Sequence, residues 1–220
     1  MMEAQRKRAR AARTETGYLG DESQAYSDLD LPATEFKGYD TLAVTTEVLA
    51  IVADGEQVGH VNGSGTAGLV LPVTPFYAEA GGQVADVGVI ETANGVFTVK
   101  NVLRLGNGLI VHHGHYEGDL HVGERAEARV SAEKRLPTQR NHTATHLLHK
   151  ALHEVVGEHA NQRGSLVAPD RLRFDFAHMQ AVTSEELEAI EKLVNDQIRT
   201  NSEVRTELCD IDTAREKGAL

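Results

Sequence analysis

The spacing of apolar residues changes partway along the chain, and this change limits the folds that are open to it. Before Pro137, short runs rich in β-branched residues alternate apolar and polar positions, which is the period of a half-buried strand. After Pro137, apolar residues recur every three or four positions, which is the period of an amphipathic helix. The sequence therefore predicts a β-rich region followed by a region that mixes helices and strands.

Hairpin signals divide the β-rich region into short strands. Asn-Gly or Asp-Gly pairs between apolar runs favour tight hairpin turns. The strand-like runs cover residues 41–52, 68–73, 95–105, 109–116 and 120–130. The turn pairs are Asp54-Gly55, Asn62-Gly63, Asn94-Gly95 and Asn107-Gly108. We expect a small antiparallel β-barrel-like domain over residues 34–132, preceded by a helix and linker over residues 1–33.

The region after it, residues 133–220, reads as α+β. An amphipathic helix is predicted over residues 141–157 and a strand pair over residues 165–176. A second helix is predicted to begin at Thr183, because Thr183 and Glu186 have the spacing of a capping box. Its apolar stripe comprises Leu187, Ile190, Val194 and Ile198. The fold class expected for the whole chain is α+β.

Charge and motif content exclude several classes of function. The net charge is −11 over 220 residues, which argues against broad binding to DNA or RNA but permits a local contact to one RNA end. A single cysteine excludes an intrachain disulfide and fits a cytoplasmic protein. No apolar run has the length of a membrane helix, and no GxxxxGK[ST] phosphate loop is present. We therefore expect neither a membrane nor a DNA partner, and no ATP chemistry within this sequence.

Histidines form a row on the first predicted helix. By helical angle, His142, His146, His149 and His153 fall on one side, opposite the apolar centre. An i, i+4 pair such as His142 and His146 directs two imidazoles to one point, as in many zinc sites. Two ligands do not complete a site, and the intervening residues lack the glutamate of an HExxH protease. A solvated polar face is the alternative interpretation.

A second group of histidines lies on predicted strands, at His112, His113, His115 and His121. No cysteine or acidic residue with ligand spacing accompanies them. We expect these histidines to face solvent rather than to hold a metal.

Four long segments of the chain form a recognisable pattern: RNHTATHLLHKAL, QRGSLVAPDRLRFDF, EELEAIEKLVNDQI and, upstream of them, TPFYAEAGGQVADVGVI. The first three resemble the editing domain of alanyl-tRNA synthetases, and the fourth resembles the segment that packs beside that domain in the family. Free-standing alanyl-tRNA editing proteins have the same pattern. The N-terminal MEAQRKRARAA resembles the stretch that links the tRNA-recognition helices to the editing region, which favours a part of the synthetase.

The resemblance implies roles for particular residues. It implies that His142 and His146 are the first two zinc ligands, and that a downstream C-x-x-x-H motif supplies the others. No histidine follows His178, and Cys209 has no histidine at the required spacing, so we expect a zinc site that is half present. Thr145 and Gln162 match residues that line the editing pocket, and the resemblance implies catalytic roles for them. Gly81, Gly82 and Gln83 match the glycine-rich loop near that pocket, for which it implies substrate binding.

The resemblance also implies a function. The chain would be part of an alanine–tRNA ligase and would carry the module that hydrolyses mischarged Ser- or Gly-tRNA(Ala). Its partners would be the acceptor end of tRNA(Ala) and the C-terminal segment of the synthetase, with ATP used only by the full-length enzyme. The alternatives are a free-standing trans-editing deacylase and a non-catalytic tRNA-binding remnant. If these residues have no role in the editing pocket, Thr145 is expected to be a helix-surface residue and Gln162 a solvated loop residue. Gly81-Gly82 would then be a simple turn.

Overall fold

A computed structural model describes residues 25–26, 29–204, 207 and 209–218, and these form two compact units. The first unit holds the described residues up to His142 together with Gly164–Phe174. The second unit holds Thr143–Arg163 and the described residues from Asp175 onward. The helix predicted near the N-terminus lies outside the described residues. None of the described helices is long and apolar enough to cross a membrane.

The first unit is built on an antiparallel sheet of eight strands. Their order is β2-β12-β8-β9-β10-β6-β3-β4. Two short pairs, β1 with β7 and β5 with β11, accompany it. The strands are β1 (Glu35–Phe36), β2 (Ala43–Glu47), β3 (Ala50–Ala53), β4 (Glu56–Val58), β5 (His60–Val61), β6 (Ser64–Val70), β7 (Val73–Thr74), β8 (Gly88–Glu91), β9 (Gly95–Arg104), β10 (Ile110–Gly118), β11 (Leu120–His121) and β12 (Arg125–Val130).

The α+β class and the antiparallel pairing are confirmed, but the sheet does not close into a barrel. Strands β2 and β3 stand near opposite ends of the sheet although only residues 48–49 separate them, so the sheet is strongly curled. The free edge of β3 is taken by β4, which follows a tight turn at Asp54 and Gly55 with φ angles of 52° and 79°. Strands β2 and β4 therefore remain as two edges.

Apolar residues bury both faces of the middle of this sheet. The larger cluster fills the concave interior, and its bulkiest members are Phe76, Phe97, Ile51, Leu69 and Ile90. A second cluster joins Tyr26 and Leu29 to side chains of the opposite face, among them Val70 and Val111. Tyr26 and Leu29 thus cover a surface that an alternating strand pattern would assign to solvent.

Three helices and a hairpin complete the described chain: α1 (Ala132–Val155), β13 (Gln162–Val167), β14 (Leu172–Phe176), α2 (Ser184–Thr200) and α3 (Ile211–Glu216). The predicted strand pair and the capping box of α2 are confirmed: Thr183 Oγ1 accepts from Glu186 N at 3.2 Å, and Glu186 Oε2 accepts from Thr183 N at 2.8 Å. Of the predicted stripe on α2, Ile190 is buried, whereas Leu187 is 56% exposed and Ile198 is 53% exposed.

Helix α1 begins nine residues before the predicted start. Pro137 lies inside it, where its ring removes one backbone hydrogen bond. The first turns are held instead by Arg135, which is 4% exposed and donates from Nε to both carboxylate oxygens of Asp86, at 2.8 and 3.0 Å. Its remaining nitrogens donate to the carbonyls of Gly38 at 2.7 Å and Pro75 at 2.9 Å. The buried guanidinium therefore joins α1 to three segments of the first unit.

We predict that Arg135→Met and Asp86→Asn each lower the free energy of unfolding by about 3–5 kcal/mol, because each leaves the other charge buried without its partner. Chemical denaturation followed by circular dichroism measures this. Arg129→Met is the matched control: Arg129 pairs with Glu91 and Glu127 at the surface, and such pairs contribute about 0–1 kcal/mol. Equal effects of the Arg135 and Arg129 substitutions would contradict the prediction.

Histidines of β10 are buried, and the expectation that they face solvent is wrong for His112 and His113. The ring of His112 meets Phe76 edge-on at 5.3 Å between centroids, on one face of the sheet. The ring of His113 meets Tyr26 edge-on at 5.7 Å, on the other face. The expectation fails because β10 is covered on both sides.

The hydrogen bonds of His112 define its protonation. Nδ1 lies 3.0 Å from the Leu69 carbonyl, which can only accept, so Nδ1 carries the proton. Nε2 then accepts from the Thr74 hydroxyl at 2.7 Å. Burial lowers the pKa of His112 to about 4.

We predict that acid destabilises the first unit through His112. The folded pKa lies below the unfolded value of about 6.5, so the unfolded chain binds the proton first. The neutral His112 ring contributes roughly 3 kcal/mol to the free energy of unfolding. This contribution is complete above pH ~6.5 and is lost as the pH falls towards about 4. Unfolding free energies measured from pH 7 to pH 4 should fall less steeply in His112→Gln. The exposed His60→Gln is the control and should follow the parent chain.

Candidate functional site

The glycine-rich loop is a tight two-residue turn. Gln83 N donates to the Ala80 carbonyl at 3.0 Å, and Ala80 N donates back to the Gln83 carbonyl at 3.3 Å. Between them Gly81 and Gly82 have φ angles of 60° and 83°. Two successive positive φ angles are unfavourable for residues with a Cβ, which explains the glycine pair.

The loop lies directly against β13. A Cβ on Gly82 would come within 2.3 Å of Ser165 Oγ and 2.7 Å of the Ser165 carbonyl. The Gly82 carbonyl accepts from Val167 N at 2.8 Å, and the Val167 carbonyl accepts from Val84 N at 3.0 Å. The absence of a side chain at Gly82 therefore allows the loop backbone to pair with the strand.

This pairing positions Gln83 beside the first predicted zinc ligand. Gln83 is 6% exposed, and its Oε1 lies 2.5 Å from His142 Nδ1. Because an amide oxygen only accepts, His142 Nδ1 is the donor, and in the neutral ring Nε2 carries the lone pair. The neighbouring Asn141 Nδ2 donates to the Ala168 carbonyl at 2.7 Å, which ties this turn of α1 to the chain just after β13. The loop and the helix thus fix both the tautomer and the orientation of the imidazole.

The remaining predicted residues belong to the second unit. His146 is exposed on α1, four residues after His142, which places the two on one side of the helix. Thr145 is 8% exposed, so it is a buried residue rather than one of the helix surface. Gln162 is the exposed first residue of β13 and not part of a loop. The fold of the first unit therefore brings together Gly81, Gly82, Gln83 and His142, while the other three residues belong to the second unit.

The last two histidines of the row contact each other within the second unit. The rings of His149 and His153 meet edge-on, with centroids 4.6 Å apart. Burial, followed by the neighbouring His153 and His146, lowers the pKa of His149. In the described part of the chain, no group of three or more His, Cys, Asp or Glu side chains could hold a metal ion.

Comparison with known proteins shows the family of the chain. The family model for class II (A) tRNA synthetases matches residues 1–134. The chain belongs to the class II tRNA synthetases. It is 44% identical over all 220 residues to the alanine–tRNA ligase of Pseudomonas syringae pv. syringae (strain B728a), and 46% identical over 220 residues to that of Fervidobacterium nodosum. It is 46% identical over 187 residues to the alanine–tRNA ligase of Pseudoalteromonas translucida, which is 85% of this chain and 21% of that enzyme.

The chain covers 24% of the first of these relatives and 25% of the second, so it spans about a quarter of the length of the curated relatives that it matches. The resemblance to alanyl-tRNA synthetases is thereby confirmed at the level of the family. The names of the relatives describe ligases and make no statement about editing, zinc or individual residues.

Sequence reasoning missed the residues that support the site. Arg135 and Asp86 lie 49 positions apart and belong to no local motif. The available signals were an aspartate within a run of apolar residues and glycines, and an arginine close to a proline at the start of a helix. The side-chain oxygen of Gln83 accepts a hydrogen bond from His142, a contact that no local motif indicates.

We predict unequal effects of alanine at the two loop glycines of this synthetase-family chain. Gly82→Ala should disrupt the pairing with β13, because the new methyl group would overlap Ser165. Gly81→Ala is the matched control: its φ is also positive, but among the described residues no atom lies within 4 Å of the new Cβ. Its cost should be limited to backbone strain of about 1 kcal/mol. Amide hydrogen exchange of Val84 and Val167 measures the pairing, and equal loss in both variants would contradict the prediction.

Proposed function

We propose that this chain carries the editing module of an alanine–tRNA ligase, which hydrolyses the ester of mischarged Ser- or Gly-tRNA(Ala). The observation that carries the proposal is the hydrogen bond between His142 and Gln83. Metal-ligating histidines usually donate their second ring N–H to an oxygen acceptor, which sets the tautomer for the metal. The family membership and the names of the relatives supply the tRNA context.

Editing is chemically useful for a ligase that selects alanine. A pocket made for a methyl side chain gains little discrimination against glycine, and it rejects an added hydroxyl poorly. One methylene or hydroxyl group changes binding by only ~1–3 kcal/mol, so a second, hydrolytic site increases accuracy. A hydroxyl such as that of Thr145 and an amide such as that of Gln162 have the hydrogen-bonding capacity to recognise a serine side chain.

In the proposed site, His142 and His146 would supply two zinc ligands from consecutive turns of α1. Zinc, when bound, would polarise the ester carbonyl or lower the pKa of a water molecule. Gln83 would hold the His142 ring so that Nε2 is presented to the metal. Gly82 would permit the close approach of the loop to β13 that brings Gln83 into position. Two ligands are fewer than the three or four of established zinc sites, so additional ligands would have to complete the site.

The proposal predicts weak zinc binding that depends on Gln83. Competition with a chromophoric chelator should give sub-stoichiometric zinc for the 220-residue chain. Gln83→Ala should weaken the affinity by about 10–100-fold, which is typical of losing the partner of a ligating histidine. Gln57→Ala, on the exposed strand β4, is the control and should leave it unchanged. One tight zinc per chain that survives His142→Ala would contradict the assignment of ligands.

Hydrolysis of seryl-tRNA(Ala) tests the reaction. The chain by itself should deacylate this substrate poorly, and an added polypeptide that carries a C-x-x-x-H motif should restore the rate. His146→Ala should then abolish the restored activity, whereas Lys150→Ala, one turn further along α1, should not. Robust deacylation by the chain alone would show that the ligand assignment is wrong. Binding of tRNA without any restored hydrolysis would instead favour the non-catalytic alternative.

A further inference from the structure

Most lysines of the described chain have an acidic partner. Six lysines fall within residues 29–204 and 209–218, and four of them form ion pairs: Lys37 with Glu35, Lys150 with Glu154, Lys192 with Asp196 and Lys217 with Glu207. Within those same residues, Lys100 and Lys134 form none, although the chain carries a net charge of −11. Both side chains are exposed.

These two lysines line one cleft in the first unit. The cleft has a volume of about 490 Å³ and lies beside the strand and loop that follow Gln83. Its polar lining includes Lys100, Lys134, Asn101 and the carboxylates of Glu79 and Asp86, and Val84 belongs to its apolar wall. The only lysines without an ion pair in the described chain therefore face the same space.

A β-bulge presents Lys100. Along β9, Val99 pairs with Gly114 and Asn101 with His113, so Lys100 is the extra residue opposite that step. Gly114 accommodates the bulge, because a Cβ there would come within 2.0 Å of the Thr98 carbonyl. Bulges of this kind redirect a side chain and occur preferentially next to functional sites.

The other polar groups leave the cleft rich in donors. Asn101 Oδ1 already accepts a hydrogen bond from Val102 N at 2.9 Å. The amide can therefore donate to a ligand through its Nδ2 hydrogens. Lys134 lies in the first turn of α1, where the helix dipole disfavours a cation. The cleft is lined by two carboxylates, and the charge of Asp86 is neutralised by Arg135. The remaining charges of the lining are one carboxylate, that of Glu79, and two ammonium groups.

We propose that this cleft binds phosphate groups of an RNA backbone, with Lys100 and Lys134 as the phosphate contacts. The identification of the polyanion as RNA rests on the proposed function. Val84 lines the cleft and directly follows Gln83, the residue that holds His142. An RNA strand whose terminal ribose reaches that histidine has further phosphates one and two nucleotides back. The cleft belongs to the same unit as His142 and is lined by the residue after Gln83. Ammonium groups bind phosphates without reading base sequence.

The test is the salt dependence of RNA binding by the 220-residue chain without added zinc. A fluorescent RNA hairpin that reproduces the tRNA(Ala) acceptor stem with its single-stranded end is titrated at several salt concentrations. The parent chain should bind it, and the plot of log affinity against log salt should be steep. The double variant K100Q/K134Q should reduce the slope by about 2, one for each phosphate that is no longer neutralised. K100R/K134R, which keeps both charges, should restore the slope.

The double variant K37Q/K150Q removes the same charge from two lysines that are already paired, and it should leave the slope unchanged. Equal slopes for the parent chain and K100Q/K134Q would overturn the proposal, as would equal reductions in both double variants or no RNA binding by the parent chain. Because RNA binding is measured without zinc, its outcome does not depend on whether the chain hydrolyses mischarged tRNA. A lysine-dependent slope without any deacylation would defeat the proposed hydrolysis and leave the phosphate cleft standing.

Discussion

The buried contact between Arg135 and Asp86 is the interaction on which the proposed site depends. A guanidinium that is 4% exposed is tolerable only when its donors are satisfied, and here they reach a carboxylate and two backbone carbonyls. Asp86 also accepts from Tyr77 N at 2.7 Å, so the pair ties the start of α1 to both ends of the segment that carries the glycine loop. The contacts of this pair therefore fix the helix and the loop to each other without the help of a ligand.

Much of the fold follows from local sequence signals. The Asp54-Gly55 turn, the capping box at Thr183 and the strand pair near residues 165–176 each depend on neighbours in sequence, and each is found. The start of α1 was predicted too late, because Pro137 is a local helix breaker whereas the bonds that offset it come from Gly38, Pro75 and Asp86. Those partners are distant along the chain, so no window of sequence reveals them.

The same distinction explains the histidines. The sequence pattern predicts that β10 has a solvent-facing side, but Tyr26 and Phe76 cover its two sides. The candidate site divides in the same way. The glycine pair could be recognised from sequence because positive φ angles favour glycine, whereas the contact of Gln83 with His142 spans 59 positions and needed the fold. The resemblance to alanyl-tRNA synthetases pointed to Gln83 and His142 without revealing that the two side chains bond to each other.

Helix α1 sets the distance and the angle between Arg135, which anchors it, and His142, the first candidate zinc ligand. Arg135 and His142 are seven residues apart, which is a rise of about 10 Å and nearly two full turns, so both side chains leave the helix on almost the same bearing. The number of residues between them is therefore constrained more tightly than their identity. Inserting or deleting a single residue in 136–141 would swing His142 by about 100° away from Gln83 while leaving the anchor in place. In this part of the chain, changes in length should be far less tolerated than changes of residue type.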